Sequence, residues 1–212
     1  RWPTQGSGAV WSEALWNSCL IPQPLNESEL PEIGVDVARF GDDFTTLIVR
    51  QGNCALHWET HNGWSTIQTA GRCKQLAHEF GKERAYNVPI KIDDDGVGGG
   101  VTDNKGLYNF IPVNGGSTPL APSDYPNKRS EAWFATAIRA EERRIDLSRL
   151  SPQALRLLRV QAMAPTWKVD EQGRRKVEPK ADTKKRLKRS PDDMDALNLA
   201  FAASGTPASS VV

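Results

Sequence analysis

The aspartates of this sequence are the side chains whose positions best suit catalysis. Asp36 lies within the apolar run Ile33–Val37, and Asp93 ends a second apolar run, Pro89–Ile92. A carboxylate buried in an apolar strand is unfavourable by several kcal/mol unless it pairs with a basic side chain or binds a cation. For either residue, the alternative to a catalytic role is a structural ion pair with a Lys or Arg. Because the sites of α/β folds usually form at the carboxyl ends of strands, we expect both carboxylates in one site.

A third acidic group, Asp192-Asp193-Met194-Asp195, opens a predicted helix. Positions three apart in a helix share a face, so Asp192 and Asp195 point the same way while Asp193 turns aside. Acids in a first turn can also act only as complements to the helix dipole. Mostly apolar residues follow this group, which places its acidic face at the edge of a core.

These side chains offer only oxygen ligands, which suit Mg²⁺ or Mn²⁺. Two such ions about 4 Å apart can activate a water and stabilise the leaving oxygen in phosphodiester hydrolysis. The three cysteines have no CxxC spacing, which argues against a disulfide scaffold or a cysteine zinc site and favours a reducing compartment. His57 and His61 have i, i+4 spacing but straddle a predicted strand end, which weakens a zinc role. No Ser/His/Asp hydrolase motif is visible.

Basic residues are concentrated just before the last acidic group. Residues 166–191 contain ten Lys or Arg against four Asp or Glu, a local charge of +6 in a chain whose net charge is +1. A basic segment beside clustered carboxylates suits a polyanion held near bound cations. A solvated charged loop is the alternative interpretation of the segment alone.

The strands that must position these residues follow from apolar runs and turn chemistry. An antiparallel meander is predicted at Ile33–Val37, Phe44–Arg50 and Cys54–Glu59, with turns at 41–43 and 51–53. Further strands are predicted at Pro89–Ile92 and Phe110–Val113, and a basic β-hairpin at Trp167–Val169 and Arg175–Val177. An antiparallel meander followed by alternating strands and helices predicts an α/β fold, in which helices flank a mixed sheet.

Helices are predicted between these strands and at the end of the chain. They are expected at Ser65–Arg84, after the glycines of 96–100, at Arg129–Arg143 and at Pro152–Met163. The first of them should bury one face, formed by Ile67, Ala70, Leu76, Ala77 and Phe80. The last helix should have Ser190 as its N-cap and Pro191 at its first position, and should extend to about Ala203.

Composition indicates one α/β domain with a small attachment. The 212 residues are 38% hydrophobic and 25% charged, as in an ordinary globular protein, and no apolar run approaches the ~20 residues of a membrane span. Residues 1–31 are irregular, which suggests a linker from an upstream domain with a short helix near Ser12–Ser18. The domain should occupy 32–204 and a flexible tail 205–212. The start at Arg1 suggests a fragment of something longer.

Four segments together resemble the nuclease domain of tailed-phage large terminases. Gly34–Asp43 is similar to the strand and turn that open that domain, and Ile92–Val101 to its second motif, in which an Asp precedes a Gly-x-Gly turn. Asn127–Trp133 is similar to a polar helix start, and Lys184–Leu197 to the last motif. The resemblance covers nearly the whole predicted domain with the order preserved, and it is specific only as a set.

The resemblance implies an RNase H-like fold and metal-dependent endonuclease cleavage of concatemeric double-stranded viral DNA during genome packaging. Carried over by position, Asp36 and Asp93 would be catalytic metal ligands from two strands. Asp192 and Asp195 would supply the helix side of the same site. Other terminases place the ligand of the last motif differently, so Asp193 is a competing metal ligand. Two Mg²⁺ or Mn²⁺ ions are expected.

The resemblance also implies binding of double-stranded DNA through its backbone, without sequence preference. The expected DNA-binding side chains belong to the polar helix start, the hairpin and the basic segment: Lys128, Arg129, Lys168, Arg174, Arg175, Lys176, Lys180, Lys184 and Lys185. The implied partners of the intact protein are an ATPase domain, the small terminase and the portal, with no membrane. It would act in the host cytoplasm during phage assembly and not be a stable virion component. No Gly-x-x-x-x-Gly-Lys-[Ser/Thr] motif is present, so this chain should cut DNA but not translocate it.

Three other functions remain open from the sequence. A junction-resolvase-like or transposase-like nuclease would share the site chemistry and differ in its DNA substrate. A sugar-kinase or actin-like ATPase also opens with a strand Asp before a Gly/Thr turn, as in 34–46, but it needs a second lobe and a late adenosine-binding glycine motif. In a non-catalytic DNA-binding module, the acids would serve only as caps and turns.

Overall fold

The computed structural model describes residues 7–38, 44–96 and 98–203. In these ranges the strands are β1 (Ser7–Ala9), β2 (Pro31–Asp36), β3 (Phe44–Gln51), β4 (Cys54–Asn62), β5 (Ile90–Asp93), β6 (Phe110–Val113), β7 (Thr166–Val169) and β8 (Arg175–Val177). The helices are α1 (Glu13–Ser18), α2 (Thr66–Gly81), α3 (Gly98–Thr102), α4 (Lys128–Glu141), α5 (Pro152–Ala162), α6 (Lys180–Leu187) and α7 (Asp192–Phe201), and a 3₁₀ turn, Lys82–Asn87, follows α2.

The main sheet has the strand order β4-β3-β2-β5-β6. Strands β2, β3 and β4 form the predicted antiparallel meander, whereas β5 pairs parallel with β2 and β6 pairs parallel with β5. The turn at 51–53 places Gly52 at φ +60°, and the turn predicted at 41–43 lies outside the described residues. The prediction of a mixed α/β sheet is therefore confirmed.

Helices cover both faces of this sheet. On one face α2 packs against β2 and β3, and Ile33 and Leu76 are fully buried in the apolar cluster on that face. On the other face α1, α4, α5 and α7 enclose a second apolar cluster that includes Trp133, Phe134 and Leu197. Because both faces are covered, β2 is buried along most of its length. A carboxylate at its end therefore lies inside the domain.

Two details of the predicted helices differ from the structure. Four of the five residues predicted for the buried face of α2 pack on the core, but Ile67 is 69% exposed. At 3.6 residues per turn, Ile67 lies roughly 120° around the helix from the buried Cys73. The predicted cap of α7 at Ser190 is also wrong, because Pro191 takes the N-cap position and Gln161 of α5 accepts the Met194 N–H (3.1 Å). No helix in the described ranges is long and apolar enough to cross a bilayer.

The segment before β2 packs into the domain. Strand β1 pairs with β7 and extends the predicted β7–β8 hairpin to a small three-stranded sheet. Helix α1 begins after Ser12, as predicted, and Ser12 Oγ accepts the Leu15 N–H. Trp11 and Trp16 are 1% and 2% exposed within the cluster formed with α4. The linker interpretation thus does not extend to these residues, because their large apolar surfaces are buried. The predicted tail, 205–212, lies outside the described residues.

Candidate functional site

Two strand aspartates meet at one edge of the main sheet. In the parallel pair β2–β5, Val35 lies opposite Ile92, so the next residues, Asp36 and Asp93, lie side by side where both strands end. Asp93 ends its strand as predicted, whereas Asp36, which was predicted inside its strand, is the last residue of β2.

Glycine allows the chain to turn tightly after Asp93. Gly96 has φ +108°, and a Cβ on Gly98 would lie only 1.8 Å from the Asp93 carbonyl oxygen. Helix α3 therefore starts directly against the end of β5. The Asp95 N–H donates to Asp93 Oδ1 (3.0 Å), which orients that carboxylate. The close backbone approach that Gly98 permits is thus an approach to Asp93 itself.

Helix α7 carries Asp192 and Asp195 and lies directly on β2. A Cβ on Gly34 would lie 2.1 Å from the Ala196 carbonyl oxygen and 2.3 Å from the Ala200 nitrogen, so only glycine permits this contact. Basic side chains hold the far end of the helix, where Arg50 Nε donates to the Ala200 carbonyl (2.8 Å) and Lys91 donates to the Ala202 carbonyl. Cations suit the negative end of the helix dipole. The first turn of α7 is thereby fixed beside Asp36.

Lys180, at the start of α6, lies among three of the aspartates. Its Nζ is 3.1 Å from Asp36 Oδ1, 3.2 Å from Asp192 Oδ1 and 3.1 Å from Asp195 Oδ2. Burial alone would lower the pKa of Lys180, but the three carboxylates raise it well above its usual value. The ammonium is therefore charged and partly compensates the negative charge of the cluster.

The carboxylates of the cluster differ in how readily they ionise. Burial raises the pKa of Asp36 well above its usual value, and repulsion from Asp192, Asp195 and Asp93 adds to this, while Lys180 opposes it. Burial also raises the pKa of Asp93. The pKa of Asp195 is lowered in spite of its burial, because Lys180 and Arg129 attract its negative charge and Trp133 Nε1 donates to Oδ1 (3.0 Å). The cluster thus holds more carboxylates than one ammonium can neutralise.

Donor type and charge both fit a divalent cation at this cluster. Oxygen donors from two strands and one helix converge, and a cationic Nζ already contacts three of them. In the described ranges no three His, Cys, Asp or Glu side chains are arranged to hold a metal ion directly, and the Lys180 ammonium lies between the carboxylates. A metal would therefore have to displace the Lys180 ammonium. His57 and His61 contact Glu59 instead, at 2.8 and 3.5 Å.

Asp193 is not part of the cluster. It is fully buried on the other side of α7, where its oxygens accept hydrogen bonds from Trp58 Nε1 (2.8 Å), Gln161 Nε2 (2.5 Å), Thr46 Oγ1 (3.3 Å) and Arg189 Nη2 (3.2 Å). Four donors satisfy this carboxylate within the protein. The position of Asp193 therefore does not suit a metal ligand of this cluster. This agrees with the helical spacing, which predicts that Asp193 points away from Asp192 and Asp195.

A cavity of about 340 Å³ opens at the cluster. Four of the predicted DNA-binding residues line it together with the aspartates: Lys128, Arg129, Lys180 and Lys184. Three others are exposed outside it: Lys168, Lys176 and Lys185. The remaining two have partners within the protein, since Arg174 pairs with Asp170 (2.8 Å) and Arg175 lies over the Tyr125 ring (4.7 Å). The basic segment is thus divided between the cavity, the surface and the hairpin.

Sequence reasoning missed two residues beside the aspartates. Trp133 of α4 donates a hydrogen bond to Asp195, and the sequence around Trp133 does not predict this contact. Asn198 lines the cavity and is 2% exposed. Its position three after Asp195 continues the spacing that joined Asp192 to Asp195. The same helical argument, extended by one turn, could therefore have found Asn198.

Comparison with solved structures adds to this geometry. The nuclease domain of the large terminase subunit gp2 of bacterial virus Sf6 superposes with a TM-score of 0.75 at 16% identity, covering 93% of this chain and 100% of that one. The large terminase nuclease of thermophilic phage G20c superposes with a TM-score of 0.60 at 15% identity. This match covers 92% of this chain and 97% of that one. This chain shares the fold of these nuclease domains. It is the RNase H-like fold, which confirms the fold prediction.

The large terminase of another thermophilic bacteriophage superposes with a TM-score of 0.57 at 10% identity. The match covers 92% of this chain and 44% of that one. Comparison of the sequence with protein-family models and with curated proteins gives no match. At these identities the likeness establishes the RNase H-like fold, and activity has to be argued from the site.

Proposed function

We propose that this chain is the nuclease domain of a phage large terminase, a Mg²⁺- or Mn²⁺-dependent endonuclease. Its substrate would be concatemeric double-stranded viral DNA, cut during genome packaging by two-metal phosphodiester hydrolysis. One observation carries the proposal: Asp36, Asp93, Asp192 and Asp195 line one cavity, at the edge of an RNase H-like sheet. Lysines line the same cavity, which suits a phosphodiester backbone beside bound cations.

The residues divide into two groups by role. Asp36, Asp93, Asp192 and Asp195 would hold the ions, which when bound activate a water and stabilise the leaving oxygen. Lys180 compensates the carboxylates in the free protein and is placed to move to a phosphate when cations bind. Lys128, Arg129 and Lys184 would hold the DNA backbone at the cavity, and Lys168, Lys176 and Lys185 would extend that contact over the surface.

The related structures support a divalent cation. The Sf6 nuclease domain has been solved with manganese, and the G20c nuclease with cobalt and with zinc. For this chain the oxygen-only donor set favours Mg²⁺ or Mn²⁺ over zinc, which prefers nitrogen and sulfur ligands.

The wider setting is part of the same proposal. The large terminase with 10% identity is more than twice as long as the part that matches this chain, which supports an ATPase domain as partner in the intact protein. Small terminase and portal would be the other partners. The site of action would be the host cytoplasm during phage assembly, without a stable place in the virion.

Nicking of supercoiled plasmid by the purified chain tests this function. We expect cleavage in millimolar Mn²⁺ or Mg²⁺ and none in chelator. Asp36→Asn and Asp195→Asn should each reduce the rate roughly 100-fold or more, because each removes a ligand charge. Asp182→Asn, on the exposed side of α6, is the matched control and should cut normally.

Two outcomes would contradict the proposal. If both site variants nick plasmid as fast as the wild type, the aspartates are structural and a non-catalytic DNA-binding module becomes the better interpretation. If four-way junctions are cut much faster than linear duplex, the site is that of a junction-resolvase-like nuclease.

A further inference from the structure

Asn198 is a buried amide whose hydrogen-bonding groups are not used within the protein. The side chain is 2% exposed, and neither Nδ2 nor Oδ1 has a hydrogen-bond partner among the described residues. Buried amides are nearly always hydrogen-bonded, because an unmet donor or acceptor destabilises the fold. A buried amide that has no partner within the protein therefore indicates that a ligand binds there.

The position of Asn198 shows where such a ligand would bind. Asp192, Asp195 and Asn198 are spaced by three along α7 and all line the cavity at the carboxylate cluster. A ligand at the amide would therefore also lie beside the proposed metal site.

Arg129 presents unused donors to the same cavity. Its Nη1 donates to the Glu178 carbonyl (2.6 Å), which fixes one side of the guanidinium, and its plane lies near the Trp133 ring (5.8 Å). Nε and Nη2 are buried and have no hydrogen-bond partner among the described residues. These two nitrogens form the edge with which arginine binds carboxylate or phosphate in bidentate fashion. Asn198 and Arg129 thus each offer a free donor beside the aspartates.

We infer that Asn198 and Arg129 form a phosphate subsite within the candidate nuclease site. Asn198 Nδ2 and the Nε/Nη2 edge of Arg129 bind the non-bridging oxygens of one backbone phosphate of the strand being cut. This inference rests on the proposed function and gives Asn198 a role in it. Both donors stay in place when the ligand leaves, since helices α7 and α4 hold them. The subsite therefore orients the phosphate without a change in the fold.

Asn198→Leu is the informative variant, because leucine matches the shape of the amide and removes both unsatisfied groups. In metal-free, DNA-free protein we expect the Tm to rise by roughly 2–4 °C. In Mn²⁺-dependent plasmid nicking we expect kcat to fall at least ~10-fold, while the KM for DNA changes less than about twofold because the lysines still bind the backbone. A residue with only a structural role would not produce higher stability and lower kcat together.

Three further variants complete the test. Arg129→Lys keeps the charge and loses the Nε/Nη2 edge, so its kcat should also fall at least ~10-fold. Asn198→Ala cannot overpack the cavity and should reproduce the loss of kcat if the leucine variant folds poorly. Asn17→Leu, at an exposed position of α1, is the matched control and should leave Tm and kcat unchanged.

The outcomes separate this inference from the function on which it rests. If the wild type cuts, Asp36→Asn does not, and both Asn198 variants cut at the wild-type kcat, the phosphate subsite is wrong and the nuclease stands. If Asn198→Ala lowers the Tm and leaves kcat unchanged, the amide is structural and the inference also fails. A wild type that does not cut in any divalent cation removes the proposed function and this subsite with it.

Discussion

At the scale of single residues, the site is organised by which carboxylates are satisfied within the protein. Asp193 has four protein donors, whereas Asp36, Asp192 and Asp195 share the single ammonium of Lys180. A carboxylate with a full set of donors stabilises the fold, and carboxylates that share one cation are ready to take another. Adjacent aspartates of one helix thus have opposite roles.

This contrast predicts different costs for neighbouring substitutions. Asp193→Ala should lower the free energy of unfolding by about 3–5 kcal/mol, because it leaves Trp58, Gln161 and Arg189 without their buried partner. Asp195→Asn should lower it by less, roughly 1–2 kcal/mol, because it loses the attraction of Lys180 and Arg129 but also relieves repulsion on Asp36. Urea unfolding of both variants measures the difference. A stable but inactive Asp193→Ala protein would restore Asp193 as a ligand.

At the scale of elements, the contact between β2 and α7 determines whether the aspartates meet. Gly34 lies two residues before Asp36 and touches the backbone of α7 at Ala196 and Ala200. A side chain at this position would push the helix away from the strand. The distance between the strand and helix aspartates would then increase, although none of the aspartates had changed.

Gly34→Ala should therefore lose stability and activity together. We expect a decrease of about 1–3 kcal/mol in the free energy of unfolding, from overpacking, and nicking reduced at least ~10-fold. Gly71→Ala is the matched control, because a Cβ there meets nothing within 4 Å on α2. That variant should gain roughly 0.5–1 kcal/mol from helix propensity. Full activity of Gly34→Ala would show that α7 tolerates displacement.

Elements with a strong local pattern could be predicted from the sequence. The meander, β5, β6 and α4 follow from apolar runs and turns, and parallel pairing then brings Asp36 to Asp93. Helix α6 was not predicted, because it is strongly polar and only its contact with the cluster gives Lys180 a role. Two of the donors to Asp193, Gln161 and Trp58, come from 32 and 135 positions away, beyond the reach of any local pattern.

At the scale of the whole molecule, partly buried ion pairs join neighbouring elements of the fold. Glu59 of β4 accepts from Arg72 of α2 at 2.8 Å through both oxygens, and it also contacts His57 (2.8 Å). Glu178, between β8 and α6, contacts Arg186 and accepts from Thr183 (2.7 Å). The second pair holds α6, and therefore Lys180, against the rest of the domain. Both pairs need an ionised glutamate.

Acid should consequently unfold the domain in a defined pH range. Burial opposes ionisation of Glu59, but hydrogen bonds from His57 and Arg72 lower its pKa to about 2, below its ordinary 4.5. The pKa of Glu178 is likewise lowered to about 2, against its burial, by hydrogen bonds from Arg186. The unfolded chain therefore binds more protons than the folded one between these values. The stabilisation is complete above about pH 4.5 and is lost as the pH falls towards 2.

Urea unfolding at several pH values between 5 and 2.5 measures this loss. The free energy of unfolding should fall with pH in the wild type and fall less steeply in Glu59→Gln and Glu178→Gln, which cannot gain the proton. Glu171→Gln, at an exposed position of the hairpin, should follow the wild-type slope. Comparing slopes cancels the contribution of the cluster aspartates, since all variants keep them.

Equal slopes in all four proteins would show that neither glutamate is linked to folding. A flattening confined to Glu178→Gln would place the acid-sensitive contact at α6, the element that brings Lys180 to the aspartates.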